Sequence, residues 1–405
     1  MACTTQVLNL FFFFFLLSQM IQTASKAFKK VCIVGTGVSG CSAARILAEG
    51  GVNVSMYDAG FRPGGRCNTR LHKHHGETYE FDHGAQYISP KTQVFKEAVS
   101  SWKDSGVVDR WDFSHATIDC NGEKSKIHLD VKEEVFVGVP GMSSICNHMI
   151  ANDRITTNFG KDVELKRSSS GGWNVHLKST EEVLDSDFDF VLTSDRSGRE
   201  QMIEIDQDGK SSAVKLSSPA IVVMCVIDEE LSKLLKDMKF TAARVQGNQK
   251  LAWISVDSSK PGRTEKWDKS SIVLQSTATF AQQLIDEVSL NLMGSSAKDI
   301  KNSIAKAAEA PLYNELLDII EDGSGLARRD LDHKKPVFIK GHRWGAAFPA
   351  DLTTLEKEGN FILEADSKRA IIGDFFLHAG KVEGAYLSGS AAAAAVLECL
   401  SKEVL

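Results

Sequence analysis

Residues 30–58 read KVCIVGTGVSGCSAARILAEGGVNVSMYD, and the fold follows from how these pieces alternate. An apolar run at 31–34 meets the turn Gly35-Thr36-Gly37-Val38-Ser39-Gly40. A small-residue segment with helical spacing comes next, and a second apolar run at 52–57 ends on Asp58. Strand, glycine turn, helix, strand and acid in that order make a unit suited to a dinucleotide. Gly35 permits the tight turn, Gly37 lets backbone approach a pyrophosphate, and Gly40 lets helix and strand pack closely. The helix start, with Val38 and Ser39 in its first turn, offers unpaired N–H groups and a partial positive charge to phosphate. Asp58 stands 18 positions after Gly40, close to the ~20-residue separation at which a carboxylate accepts from a ribose hydroxyl. Ala59 follows it at the same strand end.

The rest of the chain bounds the class. A length of 405 residues exceeds one small core and predicts two or three domains. Apolar content of 42% and charged content of 25% are those of an ordinary globular protein. A net charge of −6 gives no basic surface for nucleic acid, so none is expected as a partner. Residues 7–17 are apolar apart from Asn9, contain five consecutive Phe, and precede the small residues Thr23-Ala24-Ser25. This pattern reads as a secretory leader cleaved near Ala24, which predicts a secreted or ER-lumenal protein. A basic start is missing, so a chloroplast or other organelle leader is the alternative. At 15 residues, 7–21 falls short of the ~20 that cross a bilayer, and membrane association is expected only if the leader is retained. Among the 8 cysteines there is no CxxC pair or regular spacing, so neither a disulfide framework nor a metal site is predicted. Cys32 and Cys41 read as small buried apolar residues.

Periodicity places further elements. Strands are expected at 135–139, 188–193, 220–227, 251–257, 272–277, 337–344, 361–366 and 370–373, and a hairpin over 154–178 with its turn at 168–172. Helical spacing marks 94–105, 281–293, 297–308 and 311–320, with further helices opening at Pro140-Gly141-Met142 and filling 390–400. These elements predict an α/β protein: a domain built on a parallel central sheet and a second α+β domain with a mainly antiparallel sheet. The expected division is a leader at 1–27, a discontinuous nucleotide domain at 28–92, 135–200 and 346–405, and a substrate domain at 93–134 and 201–345.

Several motifs recur in a fixed order: GTGVSG, then RPGGR (62–66), FDHGAQY (81–87), VGVPGM (137–142), WISVDSSKPGR (253–263), HRW (342–344), GD (373–374) and VEGAYLSG (382–389). In that order they resemble the FAD-dependent amine-oxidoreductase superfamily, most of all its renalase-like branch, over residues 31–397. The resemblance implies a flavoprotein with a Rossmann-type FAD domain and a sheet-based substrate domain. It implies that Gly64, Gly65 and Arg66 run beside the FAD pyrophosphate and ribityl chain. Gly373 and Asp374 would meet the ribityl hydroxyls, and the main chain of Val163 the adenine. Glu383, Gly384 and Ala385 would open a helix whose positive end steadies electron-rich flavin. His83 and Gln86 would touch the flavin or the substrate; a His and a Gln satisfied by backbone near a buried turn is the equal alternative.

Trp253, Ser255, His342 and Trp344 are the candidate substrate face, since aromatic walls with a few polar groups suit a flat ring. Alternate aromatic positions in strands are also the pattern of plain core. Lys260, in the SSKPGR loop, is a further candidate. Many amine oxidases place Tyr two positions before the Glu of the final motif, where this chain has Lys381. A cation there repels a protonated amine and attracts phosphate or carboxylate. A second departure follows the strand near Phe188: relatives continue with Pro-rich sequence, and this chain has Ser194-Asp195-Arg196-Ser197-Gly198. The expected activity is therefore an FAD-dependent oxidoreductase that takes hydride from a small molecule, a reduced nicotinamide nucleotide by the renalase resemblance, with oxygen as acceptor. An amine or polyamine oxidase and a non-catalytic FAD-bound secreted protein are the alternatives. No catalytic acid or base stands out.

Overall fold

The structure, a computed structural model, describes residues 29–130, 133–194, 217–263, 268–349, 359–376 and 380–402. The leader at 1–27 and the 195–198 part of the departing loop lie outside the described residues. β1 (Lys30–Val34) leads through Gly35 (φ 101°) into helix α1 (Val38–Glu49) and then β2 (Asn53–Asp58). β1 is central in a six-stranded sheet ordered Ile362–Glu364, Arg369–Ile371, Phe190–Thr193, β1, β2, Ile155–Phe159. Every pair in it is parallel except the outermost, Ile362–Glu364 against Arg369–Ile371. Both faces of β1 are covered, which is why Val31, Cys32 and Ile33 run apolar without alternation. Strand order reverses direction at β1, so the crevice beyond its C-terminal end is the natural ligand position in such a sheet.

A second sheet of seven strands runs Phe338–Pro349, Ser217–Ile227, Ser270–Ser276, Leu251–Val256, Ala242–Gln246, His115–Asp119, Lys126–Leu129. Only Ala242–Gln246 with His115–Asp119 is parallel. Its two faces have different neighbours. Ile221, Val223, Cys225 and Ile227 pack with Leu312, Leu316 and Ile320 of helix Glu309–Ser324. Val222, Met224 and Val226 pack with Tyr79 and Phe81 of the hairpin Thr69–His74/Glu77–Asp82. Full burial of each such Val or Ile favours the fold by about 1.5–3 kcal/mol. The expected α/β class, with one parallel and one mainly antiparallel sheet, is the one observed.

Three details differ from the sequence expectation. The segment 154–178 is not one hairpin: Ile155–Phe159 joins the parallel sheet beside β2, Gly160 (φ 68°) breaks the chain, and only Val163–Arg167 pairs with Trp173–Leu177. Helix Gln93–Asp104, placed with the substrate domain from sequence, buries Phe95, Val99 and Trp102 in the same core as β1 and α1, while His115–Asp119 does join the antiparallel sheet. The C-terminal helix spans Val382–Lys402 rather than 390–400. It crosses α1 so closely that a Cβ on Gly389 would lie 2.0 Å from the Ser39 carbonyl oxygen. Among the described residues no helix is long and apolar enough to cross a membrane, and no cluster of three His, Cys, Asp or Glu could hold a metal ion.

Candidate functional site

A cleft of about 1510 Å³ opens at the C-terminal ends of the parallel strands and continues across the inner face of the antiparallel sheet. A drug-sized pocket occupies about 300–1,000 Å³, so the space admits a dinucleotide and a further small molecule. Gly35, Gly37, Val38, Ser39, Asp58, Ala59, Gly64, Gly65, Arg66 and Val163 all line it. Gly373, Asp374, Glu383 and Ala385 line it as well. Gly40 and Gly384 do not. Gly40 faces inward, where a Cβ would come 2.1 Å from the Gly35 carbonyl oxygen, and Gly384 is buried in the terminal helix.

The α1 end of the cleft is built for an anion. Thr92, Asp228, Thr277 and Ser296 each cap a helix with a side-chain oxygen. α1 has Gly37 at that position, no side-chain cap and no acid in its first turn. Its first N–H groups are left for a ligand. A Cβ on Gly37 would meet nothing within 4 Å, because that direction is open cleft. Gly64 (φ 114°) and Gly65 (φ 52°) bring the second loop alongside, with a Gly37–Gly64 bridge between them. The Asp58 carboxylate is fixed by Thr36 N–H at 2.7 Å, Thr36 hydroxyl at 2.6 Å and Gly60 N–H at 2.7 Å. Oδ2 takes both Thr36 bonds and Oδ1 the Gly60 bond, which leaves a lone pair on Oδ1 able to accept from a ribose hydroxyl. The donor set, the missing cap and the open direction at Gly37 fit the ADP half of a dinucleotide such as FAD.

Two predicted contacts take other partners. Arg66 forms a fork with Asp374, at 2.8 and 2.7 Å, and donates to the Ala347 carbonyl at 3.0 Å. The pair ties the RPGGR loop to the strand end at Gly373. The Glu383 carboxylate accepts from the backbone N–H groups of Lys91 (3.1 Å) and Thr92 (2.7 Å). It thereby fastens the start of the terminal helix to the entry of helix Gln93–Asp104. Glu383→Ala is expected to lower stability by about 1–3 kcal/mol, the loss of buried charge-assisted hydrogen bonds, measured by urea unfolding. An unchanged unfolding midpoint would remove this role.

The other arm of the cleft is floored by one face of the antiparallel sheet. Register places Trp344 opposite Ala220, His342 opposite Val222, Val222 opposite Gln275, Gln275 opposite Trp253, and Trp253 opposite Arg244. Trp344, Trp253, His83, Gln86 and Lys381 line the cleft; Ser255 and His342 do not. Alternation assigned both to the right face, but Ser255 is fully buried further along its strand and His342 lies behind the rings of His83 (4.8 Å) and Trp344 (4.5 Å). His83 is buried and held at both ring nitrogens: Nδ1 at 3.0 Å from the Asn68 carbonyl, and Nε2 accepting from Arg70 Nε at 3.3 Å. With Nε2 accepting, the assigned tautomer carries its proton on Nδ1. Burial, with His342 and Arg70 nearby, pushes its pKa well below the usual histidine value. Burial, Arg70 and Lys301 push His342 down to about 3. Both imidazoles are therefore neutral near pH 7, and His83 is a fixed part of the wall rather than a proton carrier. Gln86 donates to the carbonyls of Asp82 and Gly84.

Sequence reasoning missed what lies beneath Gln86. Lys260 is not in the cleft wall but in a buried group of four charges. Lys260 Nζ lies 3.1 Å from Asp82 and 2.5 Å from Asp257, and 3.5 Å from Gln86 Oε1. Arg263 pairs with the same two acids. Burial raises the Asp82 pKa, but Lys260, Arg263, the Thr69 hydroxyl and the Met142 N–H more than offset it and hold the carboxyl at about 2. The FDHG and SSKPGR segments carry this complementarity, though nothing in their spacing reveals it.

Residues 33–101 match the family described as NAD(P)-binding Rossmann-like domain. Among solved structures, a protein provisionally assigned as protoporphyrinogen oxidase from Exiguobacterium sp. 255-15 superposes with a TM-score of 0.61 at 11% identity, covering 91% of this chain and 99% of its own. Putrescine oxidase bound to putrescine gives 0.57 at 12% identity, over 91% and 99%. An oxidoreductase from Methanosarcina mazei gives 0.57 at 11% identity, over 90% and 99%. The chain thus joins an N-terminal match to the Rossmann-like family with an overall fold shared by these oxidoreductases.

Proposed function

We propose that the protein is an FAD-dependent oxidoreductase acting on a small molecule, with oxygen as electron acceptor. One observation carries this reading. The uncapped start of α1, the Gly64–Gly65 loop, the Gly373-Asp374 strand end and the start of the terminal helix are remote in sequence and border one continuous cleft. When bound, FAD would supply the acceptance of two electrons from a substrate C–H bond. The residues supply placement. α1 and Asp58 hold the ADP half. The Arg66–Asp374 fork fixes the passage between the arms. The N–H groups that open the terminal helix offer positive potential to negative charge developing near them. His83 is neutral and engaged at both ring nitrogens, so it carries no proton, and a donor whose own nitrogen lone pair drives hydride loss suits this wall. The renalase resemblance and Lys381 support a reduced nicotinamide nucleotide.

A second reading, amine oxidation, is favoured by the fold shared with putrescine oxidase and opposed by the cation at Lys381. The absorption spectrum of the purified protein, followed by anaerobic titration, tests both. Yellow protein bleached by a reduced nicotinamide nucleotide or one of its isomers is expected. Bleaching by amines alone would move the assignment to an amine oxidase. Flavin that no reductant bleaches would leave a non-catalytic FAD protein, and colourless protein that takes up no added FAD would end the proposal.

A further inference from the structure

Among the described residues, one guanidinium in the substrate arm makes no hydrogen bond or ion pair. Arg244, in strand Ala242–Gln246, stands directly opposite Trp253, and directly opposed residues share a face. Both residues line the cleft, Arg244 exposed and Trp253 half-buried. The other guanidinium of the wall, Arg66, is engaged by Asp374. Arg244 makes no hydrogen bond and no ion pair among the described residues; its one resolved electrostatic neighbour is the Tyr87 hydroxyl. Aromatic rings follow one another beside it, the last of them, His115, paired with Asp130 at 2.5 Å. Tyr87 lies 6.0 Å from Trp253, and Trp253 stacks on His115 at 5.6 Å and 27°. The buried indole Nε1 of Trp253 has no acceptor among the described residues.

The carboxylates of the cleft are already occupied. Asp58 is held by Thr36 and Gly60, Asp374 by Arg66, Glu383 by the backbone of Lys91 and Thr92, and Asp162 by Lys178 at 2.8 Å. Glu133 is the one acid that acts on Tyr87 beside Arg244, and it is paired with Lys91 at 3.8 Å. With Lys381 on the same wall, the substrate arm carries an excess of positive charge. A guanidinium presents a rigid fork that matches carboxylate and phosphate, and a flat ring adjoining it is matched by the Trp253–Tyr87 wall.

We propose that Arg244 sets substrate specificity: it anchors the carboxylate or phosphate of a substrate whose planar ring lies along Trp253 and Tyr87, and it rejects cationic amines. The inference rests on the reading that FAD fills the other arm. Calorimetric titration of the FAD-loaded protein with benzoate, phenyl phosphate, benzyl alcohol and benzylamine tests it. Binding of one or both anions, with benzylamine weaker by about tenfold or more, is expected. The tighter of the two anions identifies the preferred group. Arg244→Met should weaken anion binding by about tenfold or more and leave benzyl alcohol unchanged; Arg244→Lys should retain part of the affinity. Benzylamine binding as tightly as benzoate, or an Arg244→Met protein that binds the anions like wild type, overturns the proposal. Flavin absorbance and melting temperature of each variant show that the cofactor and fold persist. If the wild type takes up no FAD, the oxidoreductase reading falls, while the same titrations on the colourless protein still decide the role of Arg244.

Discussion

Gly37→Ala is expected to empty the cleft of FAD while leaving the fold intact, and Gly40→Ala to do the reverse of that separation by damaging the fold itself. Gly37 has φ −69° and ψ 178°, values open to any residue. An added Cβ there meets no protein atom within 4 Å. Stability should stay within about 0.5 kcal/mol of wild type. The methyl group would nevertheless occupy the space in which a pyrophosphate approaches the α1 N–H groups, and FAD affinity should fall by about a hundredfold or more. At Gly40 a Cβ would lie 2.1 Å from the Gly35 carbonyl oxygen and 3.2 Å from Ser194 Oγ. Backbone must move, the packing of α1 on β1 opens, and a cost of about 1–3 kcal/mol follows. Flavin absorbance per mole of protein and the thermal midpoint, measured together, check both. Stoichiometric FAD in Gly37→Ala would show that the pyrophosphate does not lie against this turn. An unchanged midpoint in Gly40→Ala would show that helix and strand are not so close.

These two glycines mark what is readable locally. Residues 30–58 are legible because each part of the unit depends on near neighbours: a run of apolar residues, a turn that needs glycine, a helix of small residues, and an acid at a fixed distance. The remote pieces, at Gly64–Arg66, Gly373–Asp374 and Glu383–Ala385, are legible only as motifs in order, and the motif does not say where each side chain turns. Glu383 is a case in point. Its place at the cleft follows from the motif, whereas its carboxylate serves the backbone of Lys91 and Thr92, nearly three hundred positions earlier. Strand alternation likewise assigns Trp253, Ser255, His342 and Trp344 to one face but not to one distance along it, so two of the four miss the cleft. The alternating pattern of Ile155–Phe159 suits the hairpin expected over 154–178 and equally a half-covered edge strand, and it is the edge of the parallel sheet. Arg244 sits among small and polar residues that carry no motif, and only register beside Trp253 shows its direction.

Lys260→Met should be among the most destabilising single replacements in the chain. The side chain is enclosed with Asp82, Asp257 and Arg263, two charges of each sign with almost no solvent contact. Removing one cation leaves a buried negative charge without compensation, at a cost of about 3–5 kcal/mol. The pH dependence separates this cause from lost packing. In the wild type the Asp82 carboxyl is held at about 2, below its ordinary 3.8, so its contribution is complete above 3.8 and is lost as the pH falls through about 2. Without Lys260 the foremost charge that offsets burial at Asp82 is gone, and its carboxyl moves up. A raised acid favours the fold only below its ordinary pKa and loses that contribution as the pH rises. The penalty of Lys260→Met should therefore be largest near neutrality and shrink toward pH 4, as urea unfolding at several pH values would measure. Adding Asp257→Asn should restore much of the loss near pH 7, because the amide oxygen can still accept from Asp82 N–H (3.1 Å in the wild type) while the excess charge is gone. A Lys260→Met penalty that is small, or that ignores pH and is not relieved by Asp257→Asn, would mean the four charges act independently. The consequence for the site is direct. Asp82 and Gln86 belong to the segment that walls the substrate arm, Lys260 and Arg263 follow the strand that carries Trp253, and their pairing holds these two parts of the wall together.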